Sequence, residues 1–92
     1  MEKEHYTLCL YIAGHSQKAE RAISNLKKIA EDELHGKYTI EIIDLLKHPQ
    51  LAKGEQIIAV PTLIKKLPAP FRILVGDLSD KEKVLVGLNI VK

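Results

Sequence analysis

The sequence has few of the residue types that carry chemistry in small proteins. Of its 92 residues only one is cysteine, none is tryptophan and 4% are aromatic. A single cysteine excludes an internal disulfide framework, a cysteine-only metal site and a Cys-x-x-Cys redox pair. The apolar stretches fall far short of the roughly 20 residues that span a bilayer. We therefore expect no membrane segment.

Neither sign of charge is in large excess. The 14 lysines and arginines nearly balance the 12 acidic residues, for a formal net charge of +2, which gives little reason to expect a nucleic-acid partner. The hydrophobic fraction of 46% is ordinary for a globular protein. The length predicts one domain over residues 1–92. Residues 1–5 are followed by no apolar stretch of signal-peptide length, so we expect a cytoplasmic location.

The first half of the chain has the pattern of a βαβ unit. Residues 6–13 are a short apolar run, typical of a strand buried on both faces. Ser16 is a good helix N-cap, apolar residues then recur every three or four positions, and Gly36 is the expected C′ residue. Residues 38–44 alternate apolar and polar side chains, which indicates a second strand. A crossover of this kind makes the two strands parallel.

The second half is ambiguous. Residues 49–54 can form one or two helical turns, and residues 61–67 fit either a helix or a strand. Residues 71–75 suggest a strand. Ser79 and Glu82 form a capping box that predicts a helix start, yet residues 88–91 fit either the end of that helix or a terminal strand.

No group of residues predicts an enzyme or a cofactor site. Cys9 lies inside the first strand and is expected in the core. The histidines have no metal-ligand spacing, so we expect no metal; they are His5, His15, His35 and His48. The acidic run of residues 31–33 is interpreted as a solvated helix face. No glycine-rich loop or activated nucleophile is present in the sequence.

The position of Pro61 before a hydrophobic segment suggests a fold. A βαβ start followed by Val60-Pro61 before a hydrophobic strand resembles the thioredoxin fold, in which that proline is cis. The place after the first strand where thioredoxins carry their cysteine pair has none here, so the architecture is expected without the chemistry.

A closer resemblance covers nearly the whole chain. Five segments resemble the KaiB family, the small proteins that accompany the KaiC ATPase of cyanobacterial circadian clocks: residues 10–14 (LYIAG), 43–52 (IDLLKHPQLA), 61–63 (PTL), 67–70 (LPAP) and 76–88 (GDLSDKEKVLVGL).

The resemblance implies an α/β, thioredoxin-like KaiB family fold: a constant βαβ unit and a metamorphic C-terminal half. In the ground state, usually a homotetramer, that half is arranged as strand, helix, helix and strand. In a rarer monomeric state it is helix, strand, strand and helix, and only this state binds the ATPase ring. We expect the ground-state arrangement, and residues 57–91 as the part that moves.

The implied function is that of a non-enzymatic regulator without cofactors. Its partners would be a KaiC-like ATPase, further copies of the chain as a tetramer or dimer, and a sensor histidine kinase or a KaiA-like protein. Two alternatives stay open, a KaiB-like adaptor in stress response and a thioredoxin-like redox protein.

Site residues follow from the resemblance position by position. Arg21 matches a family arginine at the ATPase interface, and Lys65 and Arg72 complete the expected partner-binding set. Positions expected to influence the exchange between folds are Tyr6, Pro61, Pro68, Pro70, Gly87 and Asn89. Asn89 stands where the family commonly has aspartate, and Ile73 replaces the second member of an Arg-Arg pair, which suggests a divergent member.

Overall fold

The computed structural model describes residues 5–54, 57 and 59–90. These residues form four strands and three helices. In chain order they are β1 (Tyr6–Ile12), α1 (Gln17–Glu33), β2 (Tyr38–Asp44), α2 (Pro49–Gly54), β3 (Thr62–Leu67), β4 (Arg72–Val75) and α3 (Lys81–Gly87). No helix within the described ranges is long and apolar enough to cross a membrane.

The strands form one mixed sheet in the order β2-β1-β3-β4. β1 pairs with β2 in parallel, from Tyr6 opposite Tyr38 to Ile12 opposite Asp44. On its other edge β1 pairs with β3 in the antiparallel direction, and β3 pairs with β4 in the same way. The predicted βαβ unit is therefore present, and the second half extends its sheet.

β1 is the central strand and is covered on both faces. Leu8, Leu10 and Ile12 pack with α1, α3 and Leu63 of β3. Cys9 and Tyr11 point to the opposite face, where they pack with Leu45 and Ile64. Residues 8–12 are each at most 1% exposed, which explains why this strand is an unbroken apolar run. The predicted core position of Cys9 is confirmed.

α1 begins as predicted and ends one residue early. The Ser16 hydroxyl accepts a hydrogen bond from the backbone N–H of Ala19, 3.1 Å away. At the other end Leu34 is the C-cap, and His35 takes the left-handed C′ conformation with φ of 50°. The sequence predicted Gly36 for that place. Gly36 is also left-handed, so the chain makes its turn over two residues rather than one.

The C-terminal half does not have the ground-state arrangement that we expected. After β2 it continues as helix, strand, strand and helix, which is the thioredoxin-like alternative. β3 lies on the free edge of β1, and Leu63 and Ile64 of β3 are completely buried, one on each face of the sheet. That pairing resolves residues 62–67 as a strand.

Residues 81–87 are a helix because they pack against the sheet. Val84 and Leu85 are buried in the core that α1 also covers, together with Leu88 just after the helix. The helix begins at Asp80, whose carboxylate accepts from the Lys83 N–H at 3.2 Å, and not at Ser79 as predicted. The reason is local: the Ser79 N–H donates to the Asp77 carboxylate at 3.1 Å, which keeps Ser79 in the preceding turn.

The turns that follow β1 and β2 are joined by Asp44. Its Oδ1 accepts the backbone N–H groups of Gly14 and Leu46, each at 2.9 Å. These two hydrogen bonds, led by the one from Gly14, lower the pKa of Asp44 below its ordinary value of 3.8. A carboxylate with a lowered pKa stabilises the folded chain above its ordinary pKa, and that contribution is lost as the pH falls through the lowered value.

We predict that Asp44→Ala reduces the free energy of unfolding at pH 7, and that its difference from the parent chain shrinks as the pH falls below about 3.8. Urea unfolding at pH 7, 5 and 3 measures this difference. Glu31→Ala, which removes an exposed helical carboxylate, is the control and should show no such trend. A difference that stays constant down to pH 3 would contradict the role given to Asp44.

Candidate functional site

The residues predicted to bind a partner lie in three different environments. Arg21 is on the exposed side of α1, and Arg72 is exposed at the start of β4. Lys65 is only 1% exposed, on the sheet face that α1 and α3 cover. In this arrangement a partner can therefore touch Arg21 and Arg72 directly, but not Lys65.

Lys65 and Tyr6 meet across the sheet. The Lys65 Nζ lies 5.9 Å from the centroid of the Tyr6 ring, within the range of a cation–π contact. Tyr6 is the first residue of β1 and Lys65 belongs to β3, so the contact joins the βαβ unit to the C-terminal half. Lys65, which was predicted to bind a partner, is thus in contact with Tyr6, which was predicted to influence the exchange between folds.

Arg21 also makes a contact within the chain. Its Nε lies 3.4 Å from Oδ2 of Asp77, in the loop between β4 and α3. Asn25, one turn further along α1, donates from Nδ2 to the backbone carbonyl of Asp77 at 2.8 Å. Hydrogen bonds from Ser79, and after them Arg21, lower the pKa of Asp77. Because Leu78 is buried beside them, this loop is docked on α1.

The start of α3 is attached to the end of α1 by charge. The Lys81 Nζ lies 2.7 Å from Oε2 of Glu33 and 3.7 Å from Oδ2 of Asp32. The hydrogen bond to Glu33 is the main cause of a raised pKa for Lys81. Two of the three acids interpreted from sequence as a solvated face therefore form an interhelical ion pair. The acidic run is visible in the sequence, but only the fold brings Lys81 next to it.

The end of α3 depends on Asn89 and Gly87. Asn89 has φ of 57°, and the N–H groups of Asn89 and Ile90 donate to the carbonyls of Val86 and Leu85, a Schellman motif. Asparagine tolerates this left-handed conformation better than most residues with a side chain. At Gly87 an added Cβ would lie 2.6 Å from a terminal methyl of Leu74 on β4, so the missing side chain allows close packing of α3 on β4.

The three prolines predicted to influence the exchange bracket β3. Pro61 precedes the strand, and Pro68 and Pro70 follow it before β4. The peptide bonds that precede all three are cis. The cis geometry of Pro61 accords with the thioredoxin-like arrangement and not with the ground-state arrangement that we expected.

The polar side chains described above mainly contact other parts of the same chain. Among the described residues no three His, Cys, Asp or Glu side chains are grouped to hold a metal ion. Cys9 is buried, with its Sγ 3.9 Å from Oε1 of Glu41. In addition to the pairing of β3 with β1 and the shared apolar cores, a small set of polar contacts joins the C-terminal half to the βαβ unit.

Comparison with known proteins gives the family. A family model described as "KaiB domain" matches residues 9–90. The chain belongs to the KaiB family. It is 52% identical over 89 residues to the circadian clock oscillator protein KaiB of Rippkaea orientalis, which covers 97% of this chain and 86% of that protein. The resemblance found in the sequence is confirmed.

Solved structures confirm the thioredoxin-like architecture. The N-terminal domain of Synechococcus elongatus SasA superposes with a TM-score of 0.76 at 20% identity, covering 100% of this chain and 90% of that one. Mitochondrial thioredoxin 3 of Saccharomyces cerevisiae gives a TM-score of 0.73 at 13% identity, with coverages of 97% and 81%. At these identities the likeness concerns the fold alone.

Sequence reasoning missed the residues that dock the C-terminal half on α1: Asn25, Glu33, Asp77 and Lys81. One signal for this turn is present in the sequence, since Asp77 followed two residues later by Ser79 is typical of a side-chain-stabilised turn. Nothing in the sequence indicated that α1 lies against this turn.

We predict that Lys81→Glu weakens the docking of α3 on α1, because it places like charges together at Asp32 and Glu33. Exchange of the α3 amide hydrogens, followed by NMR, should become faster, and the effect should diminish in high salt. The double change Lys81→Glu with Glu33→Lys should restore much of the protection. Equal exchange rates in the single and double variants would show that this ion pair does not hold the helix.

We also predict that Asn89→Asp lowers, and Asn89→Gly maintains or raises, the stability of the α3 end. Aspartate places negative charge at the negative end of the helix dipole, which costs about 0.3–1 kcal/mol, whereas glycine is the best residue for a left-handed C′ position. Cα chemical shifts of residues 81–88 would report the helix population. A higher helix population in Asn89→Asp than in Asn89→Gly would contradict the role of Asn89.

Proposed function

We propose that this chain is a non-enzymatic regulator that binds a KaiC-type ATPase ring and modulates the ring's phosphorylation and ATPase cycle. The observation that carries the proposal is its 52% identity, over nearly its whole length, to a protein named as a circadian clock oscillator KaiB. In this proposal the thioredoxin-like arrangement described above is the binding-competent one, and a second arrangement of the C-terminal half stores the chain in an inactive form.

Val86 supports the existence of a second arrangement. It lies in α3 with 77% of its surface exposed, an unusual place for a β-branched apolar residue. In a strand, Val84, Val86 and Leu88 would all point to one face, because strand side chains alternate. The segment thus has the apolar alternation of a strand. In the helical arrangement Val84 and Leu88 are buried, whereas Val86 stays exposed to solvent.

The contacts between the two halves are suited to such an exchange. Besides its apolar packing, the C-terminal half is attached to α1 by a few ion pairs, Arg21 with Asp77 and Lys81 with Glu33 and Asp32, in which at least one partner of each pair is about half exposed. Contacts of this kind contribute little each, so two packings can differ by only a few kcal/mol. If the competent state is populated at about 1%, the apparent affinity for the ring is about 100-fold below the intrinsic one.

Arg21 and Arg72 are the proposed contact residues for the ring. Both side chains are exposed in the thioredoxin-like arrangement. Arg21 has a double role in this proposal, because it also holds Asp77. Lys65 would act indirectly, by supporting the arrangement through Tyr6.

A second candidate is the same adaptor role in a stress response without timekeeping. The observation that favours it is Ile73, which is 52% exposed where the family commonly has an arginine, so the partner surface differs in chemistry. A redox role has less support, because reversible dithiol exchange needs two cysteines and the sequence has one, Cys9, which is buried.

Val86→Thr tests the proposal. Threonine has the size and helix propensity of valine, so it should leave the exposed helical site almost unchanged, yet burial of its hydroxyl in a strand core would cost about 1–3 kcal/mol. If binding requires the minor arrangement, the apparent affinity for a KaiC-type ATPase should rise about fivefold or more, measured by fluorescence anisotropy with labelled chain.

Two variants control this experiment. Val86→Ile keeps an apolar β-branched side chain and should bind like the parent chain. Arg72→Glu removes a proposed contact and should weaken binding in the Val86→Thr background as well. If no KaiC-type ATPase binds the parent chain or Val86→Thr, the proposed function is wrong. If both bind equally, regulation by a second arrangement is wrong.

A further inference from the structure

An uncovered apolar stripe runs along the last strand of the sheet. Phe71, Ile73 and Val75 are 54%, 52% and 62% exposed, and we refer to these three residues as the β4 stripe. Ile73 and Val75 lie opposite Ile64 and Thr62 of β3, so their side chains are on the sheet face away from α1 and α3. On this face α2 packs over the β1 side of the sheet and leaves the stripe open.

The β4 stripe also carries a free hydrogen-bonding edge. The Gly76 N–H donates to the Pro61 carbonyl at 2.9 Å, so the backbone groups of Gly76 point toward β3. Because this orientation alternates in an antiparallel pair, the groups of Leu74 and Arg72 also point toward β3 and those of the stripe point outward. Among the strands of the described residues, none lies beyond β4. An extended segment that pairs here would gain backbone hydrogen bonds and an apolar surface together.

The other face of the same edge has a crevice of about 290 Å³. It lies between the end of β4 and the start of α3, where Leu74, Leu78 and Val84 form an apolar wall and Lys83 contributes a charged side chain. Side chains directly opposite each other in an antiparallel pair share a face. A segment paired with β4 would therefore place its residue opposite Leu74 beside this crevice, and the apolar wall suits an aliphatic side chain there.

The charge along this edge is positive. Residues 56–76 include Lys65, Lys66 and Arg72 and no aspartate or glutamate. Arg72 is exposed, and strand alternation places it on the same face as Leu74. A carboxylate opposite Arg72 would form a favourable cross-strand pair, but β4 has no acidic residue to offer to a copy of itself. Charge complementarity therefore favours a segment of another protein over a second copy.

We propose that the β4 edge binds an extended segment of another protein, which pairs antiparallel with residues 71–75 and lengthens the sheet. The segment would place apolar side chains opposite the β4 stripe, an aliphatic side chain opposite Leu74 and a carboxylate opposite Arg72. From its N-terminus it would have the order apolar, aliphatic, apolar, acidic, apolar. Because Arg72 is also a proposed contact for the ATPase ring, the segment and the ring would compete for it.

A labelled synthetic peptide, acetyl-GSVLVEVSG-amide, tests the charge complementarity by fluorescence anisotropy at trace peptide concentration. We expect a dissociation constant between about 10 μM and 1 mM, because the contact is smaller than the roughly 1,000 Å² of a stable interface. Lysine in place of the peptide's glutamate should weaken binding about three- to tenfold, and Arg72→Glu should reverse this preference.

A reversed preference cannot result from loss of folding, so Arg72→Glu serves as its own control. A peptide that does not bind the parent chain at about 1 mM overturns the proposal. A charge preference that is the same in the parent chain and in Arg72→Glu also overturns it.

N-methylation of the peptide tests the backbone pairing. In the proposed register the peptide residue opposite Ile73 exchanges two hydrogen bonds with it, whereas the peptide N–H opposite Leu74 points away from β4. A methyl group on the first nitrogen should weaken binding at least tenfold, and a methyl group on the second should have little effect. Equal losses with the two peptides would overturn the strand pairing.

Amide hydrogen exchange, followed by NMR on the chain, tests the location. Added peptide should slow exchange at Ile73 and Val75 and leave the amides of β2, at the opposite edge of the sheet, unchanged. Protection of β2 in place of β4 would overturn the site. Exchange rates that depend on the concentration of the chain alone would show that a second copy covers the edge, and would overturn it as well. None of these experiments contains an ATPase, so failure of the proposed function would leave their results unaffected.

Discussion

The pairing of β3 with β1 is the constraint on which the rest of this structure depends. β1 is apolar along residues 8–12 and needs cover on both faces and partners on both edges. α1 and β2 supply one face and one edge from within the βαβ unit. The second edge is filled by β3, whose Leu63 and Ile64 extend both cores at the same time. Once β3 is in place, β4 has an edge to pair with and α3 has a sheet face to cover.

The elements after β3 are held less firmly. β4 has four residues and is mostly exposed, and α3 has seven. Their attachment to the βαβ unit relies on a few buried apolar residues and on polar contacts near the surface, such as Arg21 with Asp77. Surface ion pairs contribute little to stability. In the proposed function this half is the part that rearranges, while the βαβ unit keeps its own packing.

The same hierarchy of attachment leaves apolar residues of the C-terminal half uncovered. β4 ends the sheet among the described residues, and its Ile73 and Val75 are more than half exposed. Val86 is exposed for a related reason, because α3 satisfies only part of the apolar pattern of its segment. A sequence that must serve more than one packing cannot bury all its apolar residues in each of them.

By itself the sequence determined the βαβ unit, the core position of Cys9, the family and the scarcity of catalytic groups. These follow from local periodicity, from capping residues such as Ser16 and from composition. Residues 62–67 and the segment after Ser79 fitted two structures each, and only pairing with β1 and packing on the sheet decided them. The burial of Lys65 over Tyr6 and the ion pair of Lys81 with Glu33 also required the fold, because each joins residues far apart in the chain. Local sequence carries no information on such contacts until the tertiary structure has brought the two halves together.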